Sequence, residues 1–226
     1  MSVRLQADLG QLSTTTGFQK NVIYESIVTT LNADYTSNAA PMGITLQDEK
    51  HLILTIFNTS KTLQNLKTTQ CAVINFTHDI ELFYKTVFKK SLFVENLPSE
   101  WFIPAKVVSA KKLHVADATL EVLAVTFKPL KDEKTLVTCS IEHLASSTVG
   151  VSQLYSRAFA LTLEALIHAT RIETYSTNPQ KQTQTTKLIE QVFDYAQIVA
   201  RIAPNSIYTT VMADLQKQIV FWRKPQ

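Results

Sequence analysis

Three hydroxyls and one ammonium group stand within the five residues Asn58-Thr59-Ser60-Lys61-Thr62, directly after the apolar run Leu52–Phe57. Where a strand hands over to a helix, backbone N–H groups are left open. Hydroxyls and a cation beside them suit a phosphate ester. Hydroxyl-rich loops also serve as plain connectors, so the turn gains meaning only from the elements around it. Val28–Asn32, Leu52–Phe57 and Cys71–Phe76 read as strands, Asn38–Ile44 as a turn, and Asn58–Leu66 as a polar loop followed by a short helical turn.

Other chemistries leave little trace. Glycine occurs only at positions 10, 17, 43 and 150, so neither a dinucleotide-binding G-x-G-x-x-G nor a Walker loop exists. Histidines 51, 78, 114, 143 and 168 show no helical i, i+4 pair beside carboxylates. His114 and Asp117 sit three apart on an apparent loop, and no metal site is expected. There is no G-x-S-x-G elbow, and Cys71 and Cys139 lie far apart in apolar runs, as buried free thiols do. His78-Asp79 follows the strand at Cys71–Phe76; it reads first as a surface turn, with a place in a ligand pocket as the alternative.

Composition narrows the class. The 226 residues are 45% apolar and 18% charged, enough for an ordinary core, with a net charge of +3. Lysines are scattered, so no nucleic-acid stripe forms; the mixed run Phe83–Lys90 reads as a helix with a solvated lysine edge. The N-terminus lacks a signal-peptide pattern, and no apolar run approaches the roughly 18 residues that span a bilayer. The expectation is a reduced, cytoplasmic protein with no nucleic-acid or membrane partner.

A helix is expected over Ile80–Lys90, a connector over Leu97–Pro104, and further strands at Val107–Ala110, Thr119–Phe127 and Leu136–Leu144, the last two joined by a turn at Lys131–Lys134. Strands so spaced, without long helices between them, favour an antiparallel barrel. After Gly150 the apolar period becomes helical. One face carries Leu154, Ala158, Leu161, Ala165, Ala169 and Ile172. A second helix begins near Thr185 and carries Leu188, Val192, Tyr195, Val199 and Ile202. A third, capped by Asn205 or Ser206, carries Ile207, Val211, Leu215, Ile219 and Trp222. The fold class is therefore α+β, an antiparallel barrel over residues 1–148 with a C-terminal helical domain over 149–226. Arg157 and Arg171, fourteen residues or about four turns apart, could share one helix face toward an anionic ligand or simply lie in solvent.

The order of these pieces resembles the FMN-binding split-barrel superfamily of flavin reductases, and within it an archaeal and methylotroph-associated branch with a C-terminal helical domain. The resemblance is carried by Glu25-Ser26-Ile27-Val28-Thr29-Thr30, Asn38 to Gly43, Ser60-Lys61-Thr62, Gln64-Asn65-Leu66 and Ala72 to Asp79, and it recurs at Ser156-Arg157-Ala158 and Glu164 to Arg171. It implies a split β-barrel with FMN as cofactor, a homodimer, and oxidoreduction of a small-molecule substrate, with a pterin-linked step as a further suggestion. A non-catalytic carrier or sensor of FMN or pterin remains the alternative, and a barrel that has lost its ligand a third. The cofactor residues it implies are Ser26, Asn38, Ala39, Ala40, Pro41, Met42, Thr59, Ser60, Lys61, Thr62, Asn65 and Asn75. Small and apolar groups at 39–42 suit the flat isoalloxazine ring, with the N–H groups of Ala40 and Met42 as donors because Pro41 has none. Two positions depart from the pattern. Lys61 replaces the usual arginine, keeping charge but not the bidentate fork. The glycine of the first hairpin is missing from Ala33-Asp34-Tyr35-Thr36.

Overall fold

The computed structural model describes residues 18–87, 97–131, 133–146, 154–176 and 178–222. Its elements run β1 (Ile23–Leu31), β2 (Ser37–Leu46), β3 (His51–Phe57), α1 (Lys61–Thr69), β4 (Cys71–Phe76), α2 (Ile80–Val87), β5 (Phe102–Ile103), β6 (Lys112–Leu113), β7 (Ala118–Pro129), β8 (Lys134–Ser146), α3 (Arg157–Tyr175), α4 (Gln182–Ile202) and α5 (Ile207–Trp222). The chain divides into two compact units, the first holding residues 18–20 and Tyr24–Tyr155 and the second holding Asn21–Ile23 and the residues from Ser156 onward. Residue 148, the boundary expected above, lies outside the described residues, as do Lys89, Lys90 and Asp132.

The first unit is a closed barrel of six strands in the order β1-β2-β3-β8-β7-β4, with β5 and β6 as a separate two-stranded sheet. Period-two alternation builds it. On β3, Leu52, Leu54 and Ile56 are buried while Ile53, Thr55 and Phe57 are not, and Leu54 stands opposite Ile44 of β2 and Val137 of β8. Bulges beside Glu121 and at Ala124–Thr126 bend the long β7–β8 hairpin into the closure. β4 is buried on both sides. One side faces the barrel interior, and the other packs Cys71 and Val73 against Val108 and Ala110.

The segment around Val107–Ala110 corrects the strand expectation. It forms bends, because its donors are spent on a carboxylate. Buried Glu121 of β7 accepts from the N–H groups of Lys106 (2.8 Å), Val107 (2.6 Å) and Val108 (3.1 Å). Only Phe102–Ile103 and Lys112–Leu113, on either side, form a ladder. Leu113 extends the fastening by donating its N–H to Asn75 Oδ1 at 2.8 Å. Next to Glu121, His143 accepts from Lys106 Nζ at 3.2 Å through Nε2. Burial pushes this imidazole below its usual range; Glu121 pulls it back, and Lys106 and Lys112 add to the depression.

The second unit is the three-helix cluster, with Ala165, Ile172, Leu188, Val192, Val199, Met212 and Ile219 at its centre. Ser156 caps α3 through the Ala158 N–H, and Ser206 exchanges hydrogen bonds with Thr209 at the start of α5. The α5 stripe differs from expectation: Ile207 is exposed, and Met212 takes the buried place, with Tyr208, Leu215 and Trp222 packed alongside. Both cysteines are buried and free, and burial raises Cys139 to about 12. No helix among the described residues is long and apolar enough to cross a membrane.

The missing hairpin glycine has a visible consequence. Tyr35 sits at φ 65°, in the left-handed region, held by its N–H to Asn32 O at 3.0 Å and by the Asp34–Thr36 contacts. A side chain costs roughly 1 kcal/mol there, and this ring is 79% exposed. Tyr35→Gly should therefore raise the urea midpoint; a lower one would show that the ring contributes contacts beyond the turn. A second expectation concerns pH. His143 binds its proton less readily folded than unfolded, so between its depressed value and the ordinary 6.5 the unfolded state holds more protons. Stability should fall as pH drops through that window, and His143→Gln should flatten the fall. Equal slopes for both proteins in denaturation at pH 7 and 5.5 would contradict this.

Candidate functional site

The turn after β3 is held from both sides. The Asn58 N–H donates to Glu133 O at 2.9 Å, and its side-chain Oδ1 accepts from the Thr135 hydroxyl at 2.7 Å, tying it to β8. The Ser60 N–H closes back onto Phe57 O at 3.0 Å. Ser60 then caps α1: its Oγ accepts from the Leu63 N–H at 3.1 Å and its carbonyl from Gln64 at 3.3 Å. The helix ladder therefore begins at Gln64, and the N–H groups of Lys61 and Thr62 lie at the open end. Thr59 and Lys61 are exposed beside them, while Thr62, Leu63, Asn65 and Leu66 are buried. An ammonium, a hydroxyl and the positive end of a helix thus converge at one surface point. The nearest hairpin contributes Asp34, whose carboxylate is occupied by the hydroxyl and N–H of Thr36. Those bonds hold it below the usual carboxylate range, with a small addition from Lys61.

Beneath the turn runs a buried polar chain. Thr30 Oγ1 of β1 accepts from Asn65 Nδ2 at 3.0 Å and from Asn38 Nδ2 at 3.3 Å. Asn38 also reaches Thr62 Oγ1 at 3.2 Å, and Asn65 reaches Asn32 Oδ1 at 2.8 Å. Of the expected residues, Asn38, Thr62 and Asn65 are thus brought together, but through Thr30 and Asn32, which sequence reasoning did not select. Thr30 stood in the matched Val28-Thr29-Thr30 segment, so a signal for it existed; Asn32 carried none.

Along β2, Ala39 packs with Ile27, Leu82, Leu97, Phe102 and Leu113, whereas Ile44, five residues on, lies opposite Leu54 inside the barrel. An odd offset of five residues puts positions 39 and 44 on opposite faces of the strand, and Ala40 to Gly43 between them are all half-buried. Ser26 of β1 is fully buried and donates to Met42 O at 2.8 Å, holding this stretch against β1. Asn75 stands apart from these residues. Its amide donates to Ile27 O, Thr29 Oγ1 and Val73 O, its oxygen accepts from Leu113, and it is closed off from solvent. Its work is to fasten β6 and β1 to β4.

Other sequence candidates find structural employment. Asp79 Oδ1 accepts from the Glu81 and Leu82 N–H groups and starts α2, and His78 lies 3.6 Å from Asp117, so this pair is the surface turn. Arg157 and Arg171 are both exposed on α3. No cluster of three metal-ligating side chains exists among the described residues. A cavity of about 160 Å³ lined by Ile103, Lys112, His114, Asp117, Thr119 and Ala145 contains none of the expected cofactor residues. Glu121 was not singled out in the sequence, and His143 was named only among the histidines without a ligating pattern, because Glu121 meets partners 13 to 15 residues away and His143 one 37 away.

Known structures share this architecture. An FMN-bound protein of Methanosarcina mazei, assigned to DUF447, is 21% identical with a TM-score of 0.52, over 92% of this chain and 99% of that one. A protein with a split barrel domain from Shewanella frigidimarina is 12% identical with a TM-score of 0.50, over 61% of this chain and 74% of that one. At these identities the likeness establishes the α+β split-barrel fold. No curated protein matches the chain. Residues 24–148, more than half of the 226, match the family model described as "Protein of unknown function (DUF447) N-terminal domain", and the chain belongs to that family.

Proposed function

We propose that this protein binds FMN and acts as an oxidoreductase on a small molecule, as a cytoplasmic homodimer. The observation that carries the reading is the turn at Thr59–Thr62, where exposed Lys61 and Thr59 meet the two open N–H groups of α1. The family membership and the FMN-bound relative of matching length support it. The residues fit the group: every side chain offered at the turn is a hydroxyl or a cation, as a phosphate dianion requires, and the neighbouring carboxylate of Asp34 is already satisfied by Thr36.

In this reading Thr59, Ser60 and Lys61 hold the phosphate with the Lys61 and Thr62 N–H groups, and Ala39 to Met42 supply the wall for the ring. Pro41 offers no donor, which leaves the N–H groups of Ala40 and Met42 to meet polar ring atoms. Ser26 serves by holding the Met42 carbonyl, so that the wall keeps its place against β1. The flavin, when bound, supplies the hydride and electron transfer; the protein supplies orientation, shielding and access for the second molecule. The two buried, free thiols accord with a reducing compartment. Steady-state consumption of NAD(P)H by the FMN-loaded protein tests the oxidoreductase part; binding without turnover with any reductant would favour a carrier or sensor.

Two outcomes test the ligand. A single phosphate turn without a dinucleotide fingerprint predicts that chromatography of the released chromophore gives FMN, and FAD as the main species would refute it. Lys61→Ala should weaken FMN about tenfold with little change for riboflavin, since a solvent-exposed charge-assisted contact is at stake. Equal losses for the two ligands in a fluorescence titration would remove Lys61 from the phosphate.

A further inference from the structure

We propose that Thr30, Asn32 and Asn65 are positioning residues of the α1 turn. They touch no ligand, and by fixing where Lys61 and Thr62 stand they set the preference for a phosphorylated over an unphosphorylated flavin. The inference rests on the FMN reading above and reassigns Asn65 from ligand contact to support.

The hydrogen-bond inventory makes the case. Asn65 has two amide hydrogens, and both are committed, one to Thr30 Oγ1 at 3.0 Å and one to Asn32 Oδ1 at 2.8 Å. Its side chain is 4% exposed, and Thr30 is fully enclosed, so neither can meet a bound molecule. Thr30 is the junction: its oxygen also takes Asn38 Nδ2, whose amide bridges to the hydroxyl of Thr62, the second residue of α1. At the far end the Asn32 amide donates to Thr36 Oγ1 at 2.9 Å, which anchors the chain in the β1–β2 hairpin. One continuous polar path thus joins the hairpin, β1, the ring-facing strand β2 and the first turn of α1.

Such a path restrains α1 in a way that apolar contact does not. A helix of nine residues is marginal alone. Leu63 and Leu66 bury its apolar side, but apolar packing tolerates small slides and rotations. A buried amide does not, because a shift of about 1 Å breaks its bonds and leaves donors unpaired. Phosphate recognition by N–H groups is equally steep in distance, whereas a ring lying against Ala39–Met42 is not. Loosening the path should therefore cost the phosphate and spare the ring.

The test uses full-length protein carrying Thr30→Val, which keeps shape and removes the shared acceptor, and Asn32→Ala, at the half-exposed end, in case the first variant fails to fold. Titrations with FMN and riboflavin should show about a tenfold loss for FMN and less than twofold for riboflavin. In a Lys61→Ala background Thr30→Val should still lower the FMN-to-riboflavin affinity ratio, because the backbone N–H groups of positions 61 and 62 remain. Without any flavin, hydrogen exchange at the Leu63 and Gln64 amides should quicken at least tenfold in the variants, with β7 and β8 unchanged. Unaltered exchange at those amides, or equal losses for both flavins, overturns the proposal. Should the unsubstituted protein bind neither flavin, the FMN reading falls by itself, and exchange at Leu63 and Gln64 still decides whether the path fixes the turn.

Discussion

Antiparallel pairing of β1 with β4 closes the barrel, and the rest of the first unit depends on its register. Ile27 stands opposite Asn75, Val28 opposite Ile74 and Thr29 opposite Val73. With this alignment Val28 and Ile74 face inward and Thr29 and Asn75 face outward, each fully buried. Thr30, one residue on, is left to receive Asn38 and Asn65. A slip of one residue would turn apolar side chains out and drive threonine and asparagine into the interior. The same closure removes the free edges that an open six-stranded sheet would present.

The outer wall carries more buried polarity than a sheet face usually does, and each group has its use. Thr29 donates to Val73 O and to Lys111 O, Asn75 takes the Leu113 N–H, and Glu121 takes three consecutive N–H groups. All three act on the stretch between Lys106 and Leu113, which has no ladder of its own except at its end. A carboxylate that receives three amides is well satisfied despite burial. The wall thereby carries a covering segment with irregular backbone, a substitute for the strand that local β-propensity at Val107–Ala110 favoured.

The α1 turn illustrates the division between chemistry and support. The groups able to meet a ligand, Lys61, Thr59 and the first N–H groups, are exposed and lie within a few residues of each other in sequence. Those that hold them lie on β1, β2, the hairpin between them and the following helical turn, and pair with one another across as many as 35 residues. A local pattern can signal the first set because a phosphate needs hydroxyls, a cation and open amides together. The second set has no chemical signature, for an asparagine beneath a helix looks like any other asparagine until its partner is in place.

What the sequence determined by itself follows from periodicity and local stereochemistry. The apolar run at Leu52–Phe57, the hydroxyl-and-lysine turn after it, the helical faces of α3 and α4, and the ordered segments of the split-barrel pattern all express short-range rules that need no partner. Tertiary structure decided what long-range pairing controls. It made Val107–Ala110 bends through Glu121, turned Ile207 outward and Met212 inward, set Asn75 to fasten strands, and gave Thr30 its place under the turn. In each case a buried polar group or a packed face found its partner far along the chain. Free energy of that kind depends on which residues meet in space, and neither composition nor spacing records it.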